Sequence, residues 1–321
     1  MDVTDRKILY ELDVNCRTPI SKIAKKIRVG RDVAAYRIRK LESRGIITKY
    51  ICSVNLGMLG YKTYKIYFKI SRDRDAEKRF VENMVRCKPV IHMLKTEGSF
   101  DYTITVAVKN IIELDDFLMG IKSNFKHFVK EYAISILVYS KIFKLDKLLL
   151  DQKRCALKLE SFEKYSGEDK TIAISEKERI ILRALSQDAN LSVVEISKRT
   201  KLSIDVVKYH VKKLSGSIVN SYRIMFNLNR MGYHHYVIML RTWHATKEDE
   251  KKLITWCLQK RNVLFCTKRI GHFDFEINAA IKDIEDLNDF LSELKTEFDG
   301  IIDSYNTMIN SKLLKLNYVP F

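Results

Sequence analysis

Residues 5–41, DRKILYELDVNCRTPISKIAKKIRVGRDVAAYRIRKL, and residues 177–214, KERIILRALSQDANLSVVEISKRTKLSIDVVKYHVKKL, are two versions of one pattern in a single chain. Offset by about 173 positions they superimpose without a gap. Ile8, Leu9 and Leu12 fall on Ile181, Leu182 and Leu185, and Val33, Tyr36, Lys40 and Leu41 fall on Val206, Tyr209, Lys213 and Leu214. Farther out, NLGMLGY at Asn55–Tyr61 meets NLNRMGY at Asn227–Tyr233 after a one-residue slip, and GSFDYTITVAV from Gly98 meets GHFDFEINAAI from Gly271. SKIFKL and SKLLKL close the two copies. A whole multi-element unit has been duplicated.

Each copy opens with three helical patterns. In the first, Thr4 is placed to cap a helix carrying Ile8, Leu9 and Leu12 on one face. Thr18-Pro19 starts a second helix with Ile20, Ile23, Ala24 and Ile27. Val29-Gly30 makes a tight turn, and Ala34, Ile38 and Leu41 stripe a third helix that Gly45 stops. In the second copy Ser175 with Glu178 and Ser192 with Glu195 have capping-box spacing, and Ser203 stands where the third helix needs a cap. This is the helix-turn-helix layout. Ile46, Ile47, Tyr50 and Ile51, then Val54, read as a two-stranded wing.

The period then switches from helical to alternating. Tyr64, Ile66, Phe68 and Ile70 face one way and Lys65, Tyr67 and Lys69 the other, as in a half-buried strand. A helix at 76–85, strands at 90–96 and 102–108, a helix at 111–125 and a strand at 132–143 complete βαββαβ, the ferredoxin-like order, whose antiparallel sheet leaves one face for a partner sheet. The expected fold class is α+β, twice over. Domains follow at 1–58 (winged helix-turn-helix), 59–145 (ferredoxin-like), 172–230 and 231–321 (the same pair again). The charged segment 146–171 joins them, and its Leu148, Leu149, Leu157 and Leu159 predict that it packs on a neighbour.

Of 321 residues, 58 are Lys or Arg and 40 Asp or Glu, a formal charge of +18. A polyanion is the natural partner, nucleic acid ahead of membrane. No run approaches the roughly 18 uncharged apolar residues of a spanning helix, and the acids of MDVTDRKILYEL do not suit a signal peptide, so a cytoplasmic, nucleoid-associated protein is expected. The six cysteines form no C-x-x-C pair and read as reduced thiols, with no metal site. The seven histidines, His234-His235 included, have no catalytic neighbours at motif spacing, and neither a Walker loop nor G-x-G-x-x-G occurs. The chain is expected to be no enzyme and to need no cofactor.

Two places could carry chemistry. With Ala34, Ile38 and Leu41 inward, the third helix presents Asp32, Tyr36, Arg39 and Lys40, flanked by Arg31 and Arg37; in the second copy Val207, Val211 and Leu214 are inward, leaving Asp205, Tyr209, Lys212 and Lys213. A major groove admits such a helix, and Arg or Lys can pair with guanine edges or phosphates. His210 stands in the place of Arg37. Lys22, Lys25, Lys26 and Arg28 on the preceding helix, with Lys49 on the wing, are set for backbone contacts. The second place is the turn Gly98-Ser99-Phe100-Asp101, repeated as Gly271-His272-Phe273-Asp274. Two readings stand for it: a structural hairpin, or a small-ligand site whose carboxylate takes an ammonium group.

The runs DRKILYEL, ISKIAKKI, RIRKLESRGIITKY, NLGMLGY and TEGSFDYTITVAV, in this order and spacing, resemble the Lrp/AsnC family of feast/famine regulators along nearly the whole unit, in both copies. The resemblance implies a sequence-specific regulator of double-stranded DNA, with ferredoxin-like (RAM) domains that pair sheet to sheet and assemble into homo-oligomers. It also implies an amino acid or related effector near the matching positions Gly98, Ser99 and Asp101, and Gly271, His272 and Asp274. The chain departs from the family in being a fused tandem. Its second head is the less typical, with Leu214-Ser215-Gly216-Ser217 where the first has Leu41-Glu42-Ser43-Arg44. Two other readings compete: an architectural, chromatin-like DNA binder with little sequence preference, and a tetrapyrrole decarboxylase, since certain such enzymes resemble the same unit.

Overall fold

The structure is a computed structural model that describes residues 1–150 and 171–321. Its first copy begins with helices α1 (Val3–Val14), α2 (Ile20–Ile27) and α3 (Arg31–Ser43). Helix α1 is capped earlier than Thr4: Asp2 accepts from the Asp5 amide at 2.9 Å and Asp5 bonds back, a capping box that leaves Thr4 inside the first turn. Helix α2 ends on Arg28 in the left-handed conformation, φ 60°. Gly45, also left-handed, ends the α3 segment.

The strand after α3, β1 (Ile47–Val54), does not fold back on itself. Its partner is the equivalent strand of the second copy, β6 (Val219–Phe226), antiparallel, with Ile51 opposite Arg223. The expected two-stranded wing within each head is therefore replaced by one ribbon made from both heads. Ile51 and Arg223 occupy the same position in the two copies, so this ribbon relates the heads by an approximate two-fold axis. Both heads drain into one core: Ile8, Leu9, Ile23 and Leu41 share a cluster with Ile181, Leu182, Ile196 and Leu214. A short helix α6 (Asp146–Leu150) buries Leu148 and Leu149 in it. Leu157 and Leu159 lie outside the described residues.

The ferredoxin-like elements of copy one are β2 (Lys62–Ile70), α4 (Arg74–Arg86), β3 (Val90–Gly98), β4 (Tyr102–Val108), α5 (Ile111–Phe125) and β5 (Val129–Ile142). The second copy runs α7 (Glu176–Gln187), α8 (Val193–Thr200), α9 (Ile204–Ser215), β6, β7 (His234–Thr242), α10 (Lys247–Gln259), β8 (Val263–Gly271), β9 (Phe275–Ile281), α11 (Ile284–Glu297) and β10 (Ile302–Leu316). Ser175, Ser192 and Ser203 cap α7, α8 and α9 as their spacing predicts, the first two in full capping boxes.

The two sheets close into an eight-stranded barrel in the order β10-β3-β4-β2-β5-β8-β9-β7. Closure depends on the long last strands. β5 pairs with β2 along its first half and with β8 along its second; β10 does the same with β7 and β3. Closure pairs the edges of both sheets, which removes a site for aggregation. Each sheet packs its outer face on its own helices, Phe68 and Phe80 in one copy and Ile277 and Phe290 in the other.

The inner faces meet one another, so both faces of β2 are buried. Tyr67 joins Phe100, Met239, Phe273 and Met308 at one level of the barrel. Lys65 is buried as well, donating to Glu276 Oε1 at 2.6 Å across the lumen, while Arg269 holds the other oxygen at 2.8 Å. Strand β2 is not half-buried as its alternation predicts, because its polar face points into a second sheet and not into water. His235 also lies inside, 2.9 Å from Asn278 Oδ1, and burial pulls its pKa down to about 4.

Candidate nucleic-acid interface

On α3 the apolar stripe Ala34, Ile38 and Leu41 is buried and Arg31, Asp32, Val33, Tyr36, Arg39 and Lys40 are exposed, Tyr36 at 59%. Arg31, Arg39 and Lys40 form no ion pair with an acid among the described residues. Arg37 is different: its guanidinium lies 2.5 Å from Asp2 and 2.8 Å from Asp5, the two acids of the α1 capping box. It braces the recognition helix against α1 instead of standing free for a base. Of the backbone-contact candidates, Lys22, Lys25 and Arg28 are exposed, and Lys26 is exposed but paired with Glu11 at 2.6 Å. Lys49 is not one of them. It turns inward and donates to the Leu316 carbonyl at 2.6 Å, and burial lowers its pKa.

On α9, Val207 and Leu214 are buried, Val211 is only half-buried, and Tyr209 is 65% exposed. Glu178, the capping-box acid of α7, occupies the position that Asp5 holds in copy one. It receives Lys213 at 2.7 Å and lies 3.3 Å from His210. Burial alone would raise its pKa, but bonds from Lys213, Ser175 and His210 outweigh that and hold it at about 2. Lys213 and His210, expected to face DNA, are thus drawn toward α7. Lys212 and Tyr209 stay exposed without an acid among the described residues, and Lys208 sits 3.6 Å from Asp205.

Lys198, Arg199 and Lys201 are exposed on α8 and its cap, at the places of Lys25, Lys26 and Arg28. The sequence reading passed over them, although the offset of the repeat points straight to them. Lys201 even repeats the left-handed backbone of Arg28, φ 59°. Where the first head has Lys22 the second has Glu195, fixed in the Ser192 capping box.

The turns at Gly98 and Gly271 lie where the barrel changes copy. Gly98 (φ +123°) is opposite Met308, and a Cβ there would come within 2.7 Å of the Thr307 carbonyl oxygen; Gly271 (φ +125°) is opposite Ser135, and a Cβ would meet the Ile134 oxygen at 2.5 Å. Asp101 Oδ2 accepts from the Ile70 amide at 2.9 Å, and Asp274 Oδ2 from the Thr242 amide at 2.8 Å. Ser99 donates to Asn306 Oδ1 at 3.3 Å, and the His272 ring stacks edge-on to Phe273. These contacts fill the hairpin reading, in which glycine permits two chains to approach and the carboxylate ties off a neighbouring strand.

Comparison with known proteins agrees with this layout. Residues 1–42 match the family model of the AsnC-type helix-turn-helix domain, and residues 174–215 that of a winged helix-turn-helix DNA-binding domain. The proline dehydrogenase transcriptional activator of Rhodobacter capsulatus is 30% identical over 116 residues, covering 35% of this chain and 75% of that one. The HTH-type transcriptional regulator FL11 of Pyrococcus abyssi is 29% identical over 119 residues, covering 37% of this chain and 78% of its own. Among solved structures, the siroheme decarboxylase NirDL superimposes with a TM-score of 0.62 over 99% of this chain and 94% of that one, at 16% identity, a likeness of fold. An AsnC-type head and a second, winged helix-turn-helix head, on one barrel of paired ferredoxin-like sheets, make this chain a member of the Lrp/AsnC family of transcription regulators.

Proposed function

We propose that the chain regulates transcription by reading an asymmetric double-stranded site, with α3 as the principal reader and α9 as a weaker second one. The exposed set Arg31, Tyr36, Arg39 and Lys40 on α3, with no acid ion-paired to its cations among the described residues, carries the reading. Arg and Lys on such a face pair with guanine edges, Tyr touches a thymine methyl, and Lys22, Lys25 and Arg28 meet phosphates. Heads related by a two-fold axis engage major-groove turns spaced by about 34 Å or a multiple of it. Selection from a random duplex pool tests this. A motif with one strong and one weak half supports it, whereas binding with a steep salt dependence and no enriched motif would favour the architectural role.

The NirDL likeness concerns the fold and assigns no reaction to this chain. Titration with a tetrapyrrole, watched for a coloured complex, is the direct check on the non-enzyme reading. The resemblance also supports an amino-acid effector around Gly98–Asp101 and Gly271–Asp274, tested by repeating the selection with an amino-acid mixture. Further self-assembly through the barrel exterior is tested by light scattering. No described helix is long and apolar enough to cross a membrane, and a nucleoid location follows from the proposed partner.

A further inference from the structure

The contacts between the copies fall into two classes. Main-chain bonds between the two heads recur in two-fold pairs. Asn55 N–H donates to the Ile218 carbonyl at 2.8 Å, and its counterpart Asn227 donates to Ile46 at 2.9 Å; Cys16 donates to Tyr222 at 2.9 Å, and Ala189 to Tyr50 at 3.2 Å. Three charged contacts break the two-fold relation. Arg223 grips Asp13 with two bonds of 2.9 and 2.8 Å, both side chains buried, while the mirrored positions are Ile51 and Ser186. Lys65 meets Glu276 inside the barrel, while the mirrored positions are Val237 and Thr103. Arg17 donates to the Ala189 and Leu191 carbonyls at 2.6 and 2.8 Å, where the mirrored residue is Asn190.

We propose that these one-sided buried ion pairs are a pairing code: a first copy mates only with a second copy, which closes the interface to like-with-like association and to single-unit relatives. Two first copies would bury two Asp13 carboxylates against Ile51 and two Lys65 ammoniums against Thr103. Two second copies would bury two Arg223 guanidiniums against Ser186. Charges removed from water without a partner are strongly disfavoured, so both matings lose, although the symmetric main chain would accept either.

The test uses full-length chains. D13R and R223D each put like charges together within one chain, and each is expected to lower the melting temperature by about 10 °C or more. The double variant D13R/R223D is expected to recover the wild-type transition. Co-expressed D13R and R223D chains are expected to exchange halves, since the arginine introduced at position 13 of one then meets the aspartate introduced at position 223 of the other, while the remaining interface is native. The product is a two-chain species with restored melting, visible by native mass spectrometry. Single variants that melt like the wild type, a double variant as weak as the singles, or co-expressed chains that gain nothing over either alone would each overturn the proposal.

Discussion

In both heads the closing acid of a capping box reaches across to the recognition helix, but the two acids hold different charge. Asp5 shares Arg37 with Asp2 and leaves Lys40 free. Glu178 takes Lys213, the counterpart of Lys40, together with His210. One architectural contact thus withdraws a flanking cation from the first reading face and a central one from the second. Duplication kept the brace and let the chemistry around it diverge. The same division runs through the barrel, where the glycine seams match and the ion pairs do not.

The widest separation between equivalent positions is expected inside the barrel. Glu276→Gln removes the acid that faces Lys65 and Arg269 and should cost about 3–5 kcal/mol, seen in chemical denaturation. Its counterpart Thr103 is buried with no hydrogen-bond partner for its hydroxyl among the described residues, so Thr103→Val should be neutral or slightly stabilising. Equal losses at the two positions would break the comparison. At the seams the copies should instead behave alike. Gly98→Ala and Gly271→Ala each force a Cβ against a carbonyl at positive φ, for about 2–4 kcal/mol apiece.

The Glu178 brace gives a pH signature. Its folded pKa of about 2 lies below the unfolded value of 4.5, so its contribution is complete above about pH 4.5 and lost as pH falls through 2. Glu178→Gln should lower stability by about 2–3 kcal/mol at pH 7, and the gap to wild type should close on acidification. Melting curves of the two proteins between pH 7 and pH 2 measure it. A gap that stays constant with pH would mean that packing, not charge, carries the brace.

The helices and the caps of the second copy were legible because they depend on neighbours three or four residues away, as with Ser192 and Glu195 or the stripe Ala34, Ile38 and Leu41; in the first copy the cap is Asp2 and not Thr4. The ribbon was not, since nothing local in Ile47–Val54 says whether its partner lies in the same head or in the other copy. Alternation in β2 told which residues share a face, and the βαββαβ order that a partner sheet could cover it, but nothing near Lys65 said that its acid, Glu276, would come from the other copy. On the recognition helices, exposure was readable from period. Which cations are already paired was not, because Glu178 and Asp5 reach them from another helix.

The smallest expected effect is the one that bears most directly on the function. Arg39→Ala with Lys40→Ala removes two unpaired cations from α3 and should weaken binding to the selected site by about 10- to 100-fold, the cost of one good base contact, while random duplex is weakened less. Lys212→Ala with Lys213→Ala deletes one free cation and one that Glu178 already neutralises, so the loss should be nearer to about threefold and similar on both duplexes. Lys212→Ala alone should then account for nearly all of it. Equal losses from the two double variants, measured by titration at one fixed salt concentration, would make the heads equivalent readers despite the brace.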